Sequence, residues 1–115
     1  VVIVQVEHID AVNNLEEIFA VDGVDGYMIG PYDLSGSMGI PGQFDHPDLL
    51  EAMEKIRMVA AKFNKTGGMH VVEPDVRQLR QAIKEGQRFI AYSVDIRMID
   101  KACREGLDYV KELRK

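Results

Sequence analysis

Tyr27-Met28-Ile29-Gly30-Pro31-Tyr32-Asp33-Leu34-Ser35 decides how this chain is read. A short apolar run stops at Gly30-Pro31, because proline removes a ladder donor, and an aspartate follows almost at once. One βα unit earlier the apolar run Val1–Val6 delivers Glu7, with Gln5 two residues before the carboxylate. Two parallel strands joined by a helix end on the same side of a sheet. In α/β folds that carboxyl end is where sites are built. The spacing therefore predicts that Glu7 and Asp33 share one site.

The same alternation continues outward. Val1–Val6 is apolar and β-branched, as expected of a strand covered on both faces. Asn14-Leu15-Glu16-Glu17 has the form of a capped helix start, with Asn14 as cap and Glu17 three residues on. Residues 24–30 form the second strand, and 31–45, which hold Gly36, Gly39, Pro41 and Gly42, read as an irregular loop. Pro47 suits the first turn of a long helix whose stripe is Leu49, Met53, Ile56, Ala60 and Phe63. Residues 65–68 break that helix before a short strand over 69–72. Pro74 opens a further helix with Val76, Leu79 and Ile83 inward, and Gly86 stops it. Residues 88–94 form the fourth strand and end at Asp95, read as the cap of a last helix over 98–114. That helix shows Ile99, Cys103, Val110 and Leu113 as its inward stripe. The pattern is (βα)₄ with parallel strands, in a single domain over 1–115. Since a closed barrel needs eight strands, this is half of a TIM-type barrel. Its open edges and inner face imply a longer protein or assembly with another half.

Bulk properties exclude several functions. A net charge of -5 and scattered basic residues argue against a nucleic-acid surface. The single Cys103 forbids an internal disulfide, fits a reducing cytoplasm, and is expected to be a buried apolar side chain. No apolar run reaches the ~20 residues that span a bilayer. Neither a P-loop nor a Gly-x-Gly-x-x-Gly motif occurs.

Several blocks, in order, carry a resemblance. Gln5-Val6-Glu7, Val24-Asp25-Gly26, Ile29 through Ser35, Met38-Gly39 and His46-Pro47 resemble the HpcH/HpaI aldolase family. Lys65–Gly68 and Ser93-Val94-Asp95 are similar to that family's last two barrel strands. The resemblance covers essentially the whole chain and implies the C-terminal half of a (βα)₈ barrel. It implies a metal-dependent (class II) aldolase that cleaves 4-hydroxy-2-oxo acids to pyruvate and an aldehyde. On the same ground Glu7 and Asp33 are expected to hold Mg²⁺, with Mn²⁺ or Co²⁺ as substitutes. Gln5 is expected to contact substrate, and the turn Gly30, Pro31, Tyr32, Asp33 to hold the pyruvate carboxylate through its backbone. The family's catalytic histidine and arginine belong to the first half of its barrel and match nothing here. The family also implies a homo-oligomer, commonly a hexamer with the last helix exchanged. Two residues depart from its pattern: His70, where an apolar residue is commoner, and Ser93, where glycine is commoner.

Chemistry alone leaves alternatives open. Mg²⁺ usually takes one or two carboxylates, leaving positions for water and substrate, so Glu7 with Asp33 is a sufficient donor pair. The plain alternative is that Glu7 pairs with a lysine and Asp33 caps a turn. His8, adjacent to Glu7, is expected to face away from it, His46 to lead into the helix after it, and His70, at a strand end, either to reach the site or to lie at the rim. A non-catalytic half-barrel that self-associates is the other reading of the chain. A related acyl-CoA lyase is disfavoured, because no basic patch offers itself to a CoA phosphate.

Overall fold

The computed structural model describes residues 1–114. Four parallel strands, β1 (Ile3–Val6), β2 (Gly26–Ile29), β3 (Thr66–Val71) and β4 (Phe89–Tyr92), lie in the order β1-β2-β3-β4. Their crossovers carry α1 (Ile9–Asn13), α2 (Leu15–Ala20), α3 (Pro31–Ser37), α4 (Pro47–Lys62) and α5 (Val76–Lys84), and α6 (Asp95–Glu112) follows β4. Sequential strand order with helical crossovers is the arrangement of a TIM-type barrel, taken over four of its units.

The core lies between one face of the sheet and the helices α1, α2 and α4. Ile29, Leu34, Leu49 and Ile56 are wholly buried there, with Leu15 and Phe19 nearly so. Phe19 packs its ring 5.5 Å from that of Tyr27, which fixes α2 over β2. Each such side chain contributes about 1.5–3 kcal/mol by leaving water. The predicted stripe of α4 is the one found: Leu49, Ile56 and Ala60 are buried, and Met53 and Phe63 pack at the edge of the cluster.

The opposite sheet face stays open, as expected of an unclosed barrel. Gln5 and Phe89 are exposed and Met28 is half-buried. Val1, Val2 and Ile3 are exposed too, so β1 is not covered on both faces in this chain. It is an edge strand, and an apolar run records only the capacity for burial.

Local readings are corrected in several places. Residues 31–37 form a helix rather than an irregular loop, because Pro31 sits at its first turn and Ser35 and Ser37 bond back to the carbonyls of Tyr32 and Leu34. β3 begins at Thr66, so Gly67 and Gly68 are strand residues and not a break. Asn14 makes no side-chain cap bond, because α1 already occupies 9–13 and only a kink separates the two helices. In α5 it is Ala82 that is buried while Val76 and Ile83 are exposed, and Asp75 caps it by accepting from the Arg77 amide. α6 starts at Asp95, earlier than predicted, with Val94 in the cap position.

The largest correction concerns α6. No residue of it is buried, and Ile99, Cys103, Val110 and Leu113 all face outward. The stripe is real but has no cover among the described residues. Polar contacts at the start of the helix hold it instead. Arg97 pairs with Glu73 at 2.8 Å and Asp100 at 3.1 Å, and the Lys101 ammonium donates to the Pro74 carbonyl. No described helix is long and apolar enough to cross a membrane.

Two backbone positions are tight. A Cβ on Gly68 would stand 2.5 Å from the Phe89 carbonyl oxygen, an atom the β-ladder holds in place. Ser93, buried at the end of β4, has a φ of 63°, which explains why glycine suits this position. Gly68→Ala is expected to cost about 1–3 kcal/mol, whereas Ser93→Gly should gain about 1 kcal/mol. Urea unfolding midpoints of the two variants, shifting in opposite directions, check both.

Candidate metal and oxo-acid site

The site starts from one register. β1 pairs with β2 so that Val6 lies opposite Ile29. Continuing by one residue sets Glu7 beside Gly30, each just past the end of its strand. Gln5 and Glu7 are two apart and so point to the same face. The Gln5 side-chain amide donates to Glu7 Oε2 at 2.6 Å, which fixes the carboxylate's orientation.

Gly30 leaves room for both. A Cβ there would meet Gln5 Nε2 and Glu7 Cβ at 3.2 Å and Glu7 Oε2 at 3.3 Å. Its φ of -101° is open to any residue, so the reason for glycine is space rather than backbone freedom. Gly30 is also the N-cap of α3, with Pro31 at the first helical position and no side chain capping the turn. The Tyr32 and Asp33 amides thus remain without helical partners.

Asp33 lies in the first turn of α3, exposed, four residues past the end of β2. A carboxylate is favoured there by the helix dipole. The Tyr32 ring turns elsewhere. It stands edge-on to Phe44 at 4.6 Å and lines a cleft of about 420 Å³ with Met53 and Met69. Only the backbone of Tyr32 is left to serve a ligand beside Glu7.

Two serines that sequence reasoning did not single out hold this arrangement. Ser37 Oγ accepts from the Ile9 amide at 3.0 Å and donates to the Leu34 carbonyl at 2.7 Å. Ile9 is two residues past Glu7, and Leu34 follows Asp33. One hydroxyl therefore ties the turn after Glu7 to the helix carrying Asp33. Ser35, wholly buried, donates to the Tyr32 carbonyl and accepts from the Gly42 amide, which pins the following loop onto α3. A serine two or four residues from a carboxylate carries no signal of its own, because its partner is chosen by the fold.

The histidines separate cleanly. His8 caps α1, its Nδ1 accepting from the Asp10 amide at 3.2 Å, and His46 does the same for α4 through the Asp48 amide. His8 is thus spent on a cap, in keeping with its predicted role away from the site. His70 lies within β3, and its buried Nε2 has no hydrogen-bond partner.

The donor set fits a hard cation. Among the described residues no group of three or more His, Cys, Asp or Glu side chains gathers. Glu7 borders the space that a Cβ on Gly30 would fill, and Asp33 follows three residues later in the first turn of α3. Two carboxylates with open positions suit Mg²⁺ and its substitutes. They fall short of the four N or S ligands of structural zinc.

Comparison with known proteins places these residues in a family context. The family model described as HpcH/HpaI aldolase/citrate lyase matches residues 1–102. A hydroxypyruvate/pyruvate aldolase from Sagittula stellata is 42% identical over 100 residues, covering 87% of this chain and 39% of that protein. A 2-keto-3-deoxy-L-rhamnonate aldolase from Escherichia coli O1:K1 / APEC is 39% identical over 110 residues, covering 95% of this chain and 40% of that one. The crystal structure of an HpcH/HpaI aldolase/citrate lyase family protein from Burkholderia cenocepacia J2315 superposes with a TM-score of 0.87 at 34% identity. That match covers 95% of this chain and 42% of the other. The chain thus spans about two fifths of the length of these relatives.

Gly30→Ala should push Gln5 and Glu7 apart by a few tenths of an ångström and loosen their bond. The Gln5 side-chain amide resonances are expected to shift in ¹H–¹⁵N spectra while backbone amides of α4 stay in place. Unmoved Gln5 resonances would mean that Gly30 does not shape the site.

Proposed function

The chain belongs to the HpcH/HpaI aldolase/citrate lyase family, and on that footing we propose that it supplies the metal and pyruvate site of a class II aldolase. The reaction is cleavage of 4-hydroxy-2-oxo acids to pyruvate and an aldehyde. One observation supports the reading most: Gly30, without a Cβ, opens a space bordered by the Gln5-bonded carboxylate of Glu7 and followed within one turn by Asp33.

Glu7 and Asp33 would hold a divalent ion, Mg²⁺ or in its place Mn²⁺ or Co²⁺. When bound, that ion supplies Lewis acidity toward the carbonyl oxygen of a 2-oxo acid. The chain's own residues do the rest of the binding. Gln5 orients Glu7 and places an amide where it can reach the substrate. The Tyr32 and Asp33 amides, which have no helical partner, face an anionic carboxylate, while Pro31 fixes the turn that presents them. Ser37 keeps the two carboxylate-bearing turns from drifting apart, which matters because metal affinity follows such outer contacts. No side chain here is given the proton transfer. In this reading a histidine and an arginine of the barrel's other half carry it.

The unpartnered stripe of α6 supports assembly of copies of the protein. Ile99, Leu107, Val110 and Leu113 are all more than two fifths exposed, and such a stripe is a poor surface to leave in water. Replacing Ile99 and Val110 by serine is expected to lower the molar mass measured by light scattering in the full-length protein. An unchanged mass would place the subunit contact elsewhere.

Mn²⁺ binding, followed by water-proton relaxation with and without pyruvate, tests the main reading. Pyruvate should strengthen Mn²⁺ binding, and Asp33→Ala should weaken it by roughly tenfold or more without loss of helical signal. A folded Asp33→Ala protein that binds Mn²⁺ as tightly as its parent would remove Asp33 from the site.

A further inference from the structure

Tyr32 faces two ways. Its backbone amide lies in the first turn of α3, one residue before Asp33, while its ring turns into the cleft with Met53 and Met69. That turn has no side-chain cap, and Gly30 before it has no side chain. Ser37 tethers the far end of α3 to Ile9. Five residues separate that tether from Tyr32, about 7 Å of helix, over which the near end could swing.

The segment between α3 and α4 holds Tyr32 at two points. Ser35 Oγ donates to the Tyr32 carbonyl at 2.8 Å and accepts from the Gly42 amide at 3.0 Å, so one hydroxyl links that carbonyl to the segment. Gly42 has a φ of 73°, in the region that favours glycine, and the Phe44 amide donates back to its carbonyl at 3.1 Å. This bend returns Phe44 to the Tyr32 ring, with the planes at 84° and the centroids 4.6 Å apart. Edge-on contact is a favoured geometry for an aromatic pair. At its other end the segment runs into His46, the cap of α4, and so is anchored there too. Phe44 is 38% exposed and stands outside the core cluster, so its contact with Tyr32 is separate from the packing that holds the fold. Without it, the Tyr32 ring would be free to shift within a cleft of about 420 Å³.

We propose that Phe44 is a positioning residue for 2-oxo acid binding: it holds the Tyr32 ring and thereby sets the Tyr32 and Asp33 amides toward the substrate carboxylate. This rests on the assignment of the pyruvate carboxylate to the Gly30–Asp33 turn. Phe44 acts only through Tyr32. A hydrogen bond to an anionic oxygen depends steeply on donor distance and angle, so a small swing of the turn weakens it. The metal pair relies on the side chains of Glu7 and Asp33 and is less affected.

The test uses the full-length protein with Mg²⁺ and acetaldehyde, and follows pyruvate addition. Phe44→Ala should raise KM for pyruvate about threefold to tenfold, the worth of one aromatic edge contact. Its kcat, and its Mn²⁺ affinity in the absence of pyruvate, should match the parent. Phe44→Tyr keeps an aromatic edge and should stay near the parent, whereas Phe44→Leu keeps only apolar bulk and should fall between. Independently of turnover, pyruvate should strengthen Mn²⁺ binding less in the Ala variant than in the parent, as read by water-proton relaxation. If the Ala variant does not fold, the Leu and Tyr variants decide. A folded Ala variant with the parent's KM for pyruvate and the parent's pyruvate effect on Mn²⁺ binding overturns the role of Phe44 alone. Parallel losses of kcat, Mn²⁺ affinity and thermal midpoint overturn it as well, because they mark a general support of the fold. A parent protein whose Mn²⁺ binding pyruvate does not strengthen overturns the assignment of the turn, and Phe44 with it.

Discussion

The parallel pairing of β1 with β2 is the constraint on which the rest of the site depends. It sets Val6 against Ile29 and thereby Glu7 against Gly30. A slip of one residue would turn every side chain of β1 to the other face, taking Gln5 and Glu7 away from the site. The core opposes such a slip. Val6 and Ile29 are both buried against the helices, and neither can exchange places with a polar neighbour. The arrangement of two polar residues on the open face is thus enforced by apolar ones on the closed face.

Hydrogen bonds then turn a sheet register into a site. β1 and β2 bring the ends of two strands together, but Asp33 belongs to a helix and its place depends on how that helix sits. Ser37 settles this through its bonds to Ile9 and Leu34, and Ser35 secures the segment that leads into α4. Both hydroxyls satisfy backbone groups, one donor and one acceptor each, that would otherwise lack partners near the core. The Gly-rich composition of this stretch, which reads as a loop, therefore conceals a short helix held by its own serines.

α6 shows the opposite balance, where an apolar pattern is present and the packing is not. Its stripe repeats at helical spacing, yet the contacts that anchor it are polar and lie in its first turns, the Arg97 ion pairs and the Lys101 hydrogen bond to the Pro74 carbonyl. Neighbouring cations hold the Asp100 carboxyl below its ordinary range, Arg104 foremost and Arg97 after it. Exposed pairs of this kind contribute little stability singly. They orient the helix, while its apolar side awaits a surface that these residues do not provide.

The sequence by itself determined the alternation of strands and helices, the parallel sheet, the core stripe of α4 and the two strand ends that carry Glu7 and the Gly30–Asp33 turn. These follow from periodicity and from proline and glycine chemistry, which act over a few residues and are written in neighbouring letters. The tertiary structure alone decided that residues 31–37 form a helix, that Ser37 bridges to Ile9, and that Phe44 stands edge-on to Tyr32. It also decided that Cys103 and the stripe of α6 face outward. The physical reason is common to all of these. Each depends on which distant backbone group, ring or apolar surface arrives opposite the residue, and a serine, a phenylalanine or an amphipathic helix specifies what it needs without specifying where that need is met.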